Sequence, residues 1–191
     1  MKFNTKAIHG GQEPDKAYGA VMTPIYQTST YAQSTPGGHK GYEYSRSANP
    51  TRTALENALA SLENGNHGLA FASGLAALDA VIKLLEPGDE VISSNDLYGG
   101  SYRLFTKVFA KFGIVFHFVD MQNANGITDH INELTKLIWV ETPTNPMMNI
   151  IDISAVSQIA KQNQILLAVG NTFATPYLQR PLEFGVDIVM H

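Results

Sequence analysis

Residues 137–170 read "LIWVETPTNPMMNIIDISAVSQIAKQNQILLAVG". Two short apolar runs, "LIWVET" and "ILLAV", enclose a segment that fits a helix. Neither run alternates apolar with polar residues, so each suits a strand covered on both faces. Strand, helix and strand in that order make a parallel unit with a right-handed crossover. Working outward, "GLAFA" (68–72), "DEVISS" (89–94), "IVFHFVD" (114–120) and "VDIVM" (186–190) have the same character, and the stretches between them fit helices. The fold class expected is α/β, a doubly wound, mostly parallel sheet with helices on its faces.

Ahead of this pattern the chain changes character. Residues 1–50 are rich in Gly, Pro, Ser, Thr and Tyr and hold no sustained period of 3.6 or 2, so they read as an extended arm, with residues 51–191 as the α/β domain. Asn49, Pro50 and Thr51 form a helix start. Leu55, Leu59 and Leu62 then recur on one face until Gly65 stops them.

Composition narrows the function. The 191 residues are 44% hydrophobic and 16% charged with a net charge of −4, the balance of a folded globular domain. No basic run supplies a footprint for nucleic acid. With no cysteine and six histidines scattered without ligand spacing, no metal centre is expected. The first residues lack the apolar core of a signal peptide, and no segment approaches the roughly 20 apolar residues of a membrane span. A cytoplasmic protein with no membrane partner is the expectation.

Ligands of open α/β sheets bind outside the carboxyl ends of the strands, at strand-to-helix junctions. In "FASGLAAL", Ser73, Gly74 and Leu75 turn the chain into a helix whose face is Leu75, Leu78, Ile82 and Leu85. Gly74 lets a ligand approach the backbone, and the free N–H groups of the first turn favour an anion such as phosphate. A tight turn that needs only a glycine has the same pattern. In "DLYGGSYRLF", Tyr98 stands before two glycines at a helix entrance, where its ring could stack on a flat ligand or simply pack. In "ETPTNP", Asn145 lies between prolines and offers an amide to a ligand oxygen, or belongs to a stiffened turn. In the arm, Tyr44 and Arg46 stand two apart and project to one side, and a guanidinium suits phosphate oxygens. Together these features describe a site for a flat, phosphorylated cofactor.

The motifs "YSRSANPTR", "FASGLAAL", "DLYGGSYRLF", "ETPTNP" and "NTFATPYLQRPLEFG" run the length of the chain in order. They resemble the amino half of the pyridoxal 5'-phosphate (PLP) enzymes of cysteine and methionine metabolism, the family of cystathionine gamma-synthase, cystathionine gamma-lyase and methionine gamma-lyase. The resemblance implies a fold type I transferase or lyase large domain, truncated at its carboxyl end. It implies a homodimer or homotetramer acting on a small amino acid substrate in methionine biosynthesis or transsulfuration, by replacement or elimination.

Residue by residue, the resemblance implies that Ser73, Gly74 and Leu75 hold the cofactor phosphate, with Tyr44 and Arg46 reaching it from a neighbouring subunit. Tyr98 would stack on the pyridine ring, Asn145 would lie near its phenolic oxygen, and Thr172 would sit behind the ring. Glu43 falls where members differ in handling the distal end of the substrate; a surface carboxylate is the other reading. Gly100 stands where methionine gamma-lyases carry Cys.

Two departures stand out. Gly170 occupies the position of an aspartate that pairs with the protonated ring nitrogen and keeps the ring an electron sink. The chain also ends at His191, a few residues before the lysine that binds the cofactor. A truncated or degenerate fragment that binds cofactor or subunits without catalysis is therefore the alternative. A nucleotide-binding Rossmann module is disfavoured, because no G-x-G-x-x-G opens the first strand–helix turn.

Overall fold

The computed structural model describes residues 1–191, which divide into two units, Met1–Ala70 and Phe71–His191. The first unit carries α1 (Phe3–His9) and α2 (Pro50–Glu63), joined by a long irregular segment. As the sequence predicts, the Asn49 side chain accepts the N–H of Thr51 at 2.9 Å and Pro50 takes the first helical position. The helix ends at Asn64, whose left-handed backbone (φ 56°) caps it one residue before Gly65. Helix α1 lies inside the segment read as an arm. Helices this short are marginal alone, and tertiary contacts hold this one: Lys6 Nζ donates to the Ser61 carbonyl at 3.0 Å and also to Asn64 Oδ1. Gly11 permits the approach, since a Cβ there would stand 2.3 Å from the Asn57 backbone. Such long-range causes leave no local periodicity to read.

The second unit is built on five parallel strands in the order β2-β1-β3-β4-β5. They are β1 (Glu90–Ser94), β2 (Val115–Val119), β3 (Thr135–Glu141), β4 (Leu166–Gly170) and β5 (Ile188–Met190). From β1 the chain winds to β2 on one side; from β3 it winds through β4 to β5 on the other. The order reverses between β1 and β3, the kind of crevice where α/β sheets hold ligands. The connecting helices include α3 (Gly74–Ile82), which precedes β1, α4 (Gly99–Arg103), α5 (Ile153–Gln162) and α6 (Thr175–Leu178). No helix is long and apolar enough to cross a membrane.

Alternate residues of β3 feed two cores, as strand geometry requires. Leu137 and Trp139 pack with Leu78, Ile82, Phe105 and Phe109 on one face. Ile138 and Val140 pack with Val156, Ala160 and Leu167 on the other. Each fully buried side chain of this size is worth about 1.5–3 kcal/mol relative to exposure, so the two apolar layers, and not helix propensity, hold the unit together.

One expected strand is absent. "GLAFA" pairs with no strand, and its Leu69 and Phe71 are exposed. Apolar composition selects a strand only where a neighbouring strand accepts its backbone hydrogen bonds, and none does here. With that run excluded, "ILLAV" belongs to the fourth strand rather than a fifth, and Gly170 closes it.

Candidate active site

A cavity of about 460 Å³ opens at the carboxyl ends of the strands, and every residue lining it belongs to the second unit. Its walls include Ser73, Gly74, Leu75, Tyr98, Asn145, Gly170 and Thr172, which brings together seven of the residues singled out from sequence.

One end is the start of α3. Ser73 caps the helix, its Oγ accepting the N–H of Ala76 at 3.1 Å, while its carbonyl accepts Ala77. The N–H groups of Gly74 and Leu75 receive no acceptor from the chain and face the cavity, where the helix dipole adds to their attraction for an anion. A Cβ at Gly74 would meet only the His191 carbonyl, at 3.8 Å, so the approach to the backbone is open. This end suits a phosphate.

Across from it, Tyr98 precedes α4 with its backbone fixed from below. Its N–H donates to Glu141 Oε2 at 2.7 Å. Glu141, buried at the end of β3, also accepts Ser101 Oγ at 2.8 Å and Trp139 Nε1 at 3.2 Å on Oε1. Gly170 is its register partner on β4, and a Cβ at that position would lie 3.1 Å from Glu141 Cγ. The glycine thus has a steric context that its sequence position alone did not suggest.

The Asn145 turn is clamped by Asp96, whose Oδ2 accepts the Thr144 hydroxyl and the Met147 N–H, the latter at 3.0 Å. Thr172 follows Asn171, which is fully buried and exchanges hydrogen bonds with Gln179: Asn171 Nδ2 donates to the Gln179 carbonyl at 2.8 Å, and Gln179 Nε2 donates to Asn171 Oδ1 at 2.9 Å and to the Thr142 carbonyl at 3.0 Å. That network ties the turn after β4 to the turn after β3.

Tyr44, Arg46 and Glu43 lie in the first unit and do not line the cavity. The Arg46 guanidinium stacks on the Tyr44 ring at 4.9 Å from its centroid, which puts the pair side by side as their spacing predicts, although a turn rather than an extended segment carries them. Glu43 is exposed. None of the nine lysines lines the cavity.

Sequence reasoning missed Glu141, Asp96, Asn171 and Gln179. The one local signal was the acid that closes the apolar run "LIWVE" on a strand's carboxyl end; the others act through partners distant in sequence.

Anion-binding N–H groups, an aromatic ring, an amide and a buried carboxylate around one cavity fit a flat phosphorylated cofactor such as PLP. Comparison with known proteins agrees. A family model described as Cys/Met metabolism PLP-dependent enzyme matches residues 4–191. The chain is 53% identical over 190 residues to a cystathionine beta-lyase of Coxiella burnetii, covering 99% of this chain and 49% of that protein. It is 51% identical to a probable cystathionine gamma-synthase of Herpetosiphon aurantiacus, covering 99% of this chain and 59% of that protein. The structure of a cystathionine gamma-lyase from Lactobacillus plantarum, complexed with L-serine, superposes with a TM-score of 0.96 at 47% identity, over 99% of this chain and 49% of that one. The chain spans about half the length of most of the curated relatives it matches. Matched from Asn4 to His191, about half identical to these lyases and synthases and sharing the fold of one of them, the chain belongs to the Cys/Met metabolism PLP-dependent enzyme family.

Proposed function

We propose that these 191 residues are the cofactor-binding half of a cytoplasmic, homo-oligomeric enzyme that makes or breaks carbon–sulfur bonds in cystathionine-type amino acids. The observation that carries this reading is the cavity that joins the unpartnered N–H groups of α3 to the Tyr98 ring. When bound, PLP supplies an electron sink for the carbanion formed at the substrate's alpha carbon. Ser73, Gly74 and Leu75 hold its phosphate. Tyr98 covers one face of its ring and excludes water there, and Asn145 hydrogen-bonds its phenolic oxygen. Thr172 supports the ring from behind. Tyr44 and Arg46, already stacked on each other, reach the phosphate of a neighbouring copy, and Glu43 faces the distal end of the substrate.

Relatives named as beta-lyase, gamma-lyase and gamma-synthase share about the same identity with this chain, so gamma replacement and beta or gamma elimination fit equally. Gly170 favours a second reading, a fragment that binds the cofactor without turnover.

Titration with PLP, followed by absorbance, tests both. Saturable binding that inorganic phosphate competes away, with pyridoxal binding at least tenfold more weakly, supports the cofactor site; a phosphate donor bond set of this kind is worth about 1.5–3 kcal/mol per charged contact. Equal binding of pyridoxal contradicts it. Turnover of cystathionine by the full-length protein then separates enzyme from fragment.

A further inference from the structure

We infer that Glu141 is the carboxylate that receives the ring nitrogen of the bound cofactor; the inference rests on the PLP reading above. Glu141 is the one acidic side chain in the cavity wall. It is buried, and all three of its donors are neutral: the Tyr98 N–H, the Ser101 hydroxyl and the Trp139 indole. No Lys, Arg or His forms an ion pair with it. Buried carboxylates are ordinarily matched by a cation, and a protonated pyridine is a cation that the cavity would bring.

Hydrogen-bond capacity points the same way. Oε1 accepts two donors, whereas Oε2 accepts only the Tyr98 N–H, which leaves one lone pair of Oε2 available. The residue that delivers that N–H is the one whose ring covers the cofactor, so Oε2 lies at the base of the ring's own wall.

Gly170 completes the geometry. It is paired with Glu141 in the β3–β4 register, and any side chain there would crowd Glu141 Cγ at 3.1 Å and Trp139 Cζ2 at 3.4 Å. The absent side chain leaves the space beside the Glu141 stem open on the cavity side. The open position 170 and the carboxylate on the neighbouring strand thus form one arrangement.

The test compares PLP with its deaza analogue, in which the ring nitrogen is replaced by C–H, as ligands of the full-length protein and its Glu141→Gln variant. Gln keeps an acceptor for Tyr98 and removes the charge. The wild type is expected to prefer PLP by about tenfold or more, the value of one charge-assisted hydrogen bond, and Glu141→Gln to lose that preference while still binding both ligands. A variant that weakens both ligands equally, or a wild type with no preference, overturns the inference and leaves the cofactor site standing. Failure of the wild type to bind PLP overturns both. Should the variant not fold, the wild type loaded with ring-¹⁵N PLP decides: a pyridinium nitrogen signal supports the inference, and a neutral pyridine signal overturns it.

Discussion

The backbone N–H of Tyr98 is held by the carboxylate of Glu141, 43 residues further along the chain, at 2.7 Å. Through this bond β3 sets the height of the aromatic ring that flanks the cavity, and the same carboxylate anchors Ser101 in the first turn of α4. The cavity's wall is therefore built from a contact between the end of β3 and the start of α4.

Removing that contact should be costly. Glu141→Ala strands three donors, two of them side chains, at about 1–3 kcal/mol for each one left buried without a partner. A loss of at least about 3 kcal/mol in urea unfolding is expected, against a clearly smaller loss for Glu141→Gln. Equal losses for the two variants would contradict the anchoring role.

Asp96 is predicted to act through Asn145 without touching the ligand. Its carboxylate clamps the Thr144 hydroxyl and the Met147 N–H on either side of that residue. Asp96→Ala is expected to weaken PLP binding by about tenfold, the value of a hydrogen bond to a charged group, and Asp96→Asn to recover part of it because its amide oxygen still accepts one donor. Affinities from absorbance titration check this; wild-type affinity in Asp96→Ala would refute it.

Much of the sheet was legible because burial on both faces writes an apolar run directly into the sequence. β3 and β4 overlap "LIWVET" and "ILLAV" without matching their ends, and the Asn49–Pro50 cap and the Tyr98–Gly99 helix entrance lie where local chemistry puts them. "GLAFA" misled for the converse reason: the run is apolar, but a strand also needs a partner edge. Helix α1 and the positioning residues were not legible. Lys6 reaches Ser61 across 55 residues, Asp96 reaches Met147 across 51, and Glu141 looks like the polar end of a strand until Tyr98 is placed above it.

Position 170 should respond to Glu141. Gly170→Asp adds a Cβ 3.1 Å from Glu141 Cγ and sets a second carboxylate beside the first. Overpacking of this kind costs about 1–3 kcal/mol, and like charges add to it. Combining it with Glu141→Gln is expected to recover stability, so that the two substitutions are not additive in unfolding measurements. Additive losses would show that the two positions do not share the space.

A separate cluster gives the protein an acid-sensitive joint. Glu90 Oε2 accepts Asn132 Nδ2 at 2.8 Å and lies 2.6 Å from His117 Nε2. The bond from Asn132, then that from His117, holds the Glu90 carboxyl below its ordinary value of 4.5. A carboxyl lowered in the folded state stabilises it fully above the unfolded value, and that contribution is lost as pH falls through the folded one. The stability difference between wild type and Glu90→Gln is therefore expected to shrink as pH falls below about 4.5. A difference that stays unchanged into strong acid would contradict this.

The cavity is expected to bind PLP with its phosphate at the start of α3 and its ring nitrogen toward β3. A crystal structure of the full-length protein grown with PLP measures this most directly. Phosphate oxygens are expected within about 2.7–3.2 Å of the Gly74 and Leu75 nitrogens, the ring against Tyr98, and the ring nitrogen at hydrogen-bond distance from Glu141 Oε2. A phosphate bound elsewhere, or a ring nitrogen directed away from Glu141 into solvent, would contradict it.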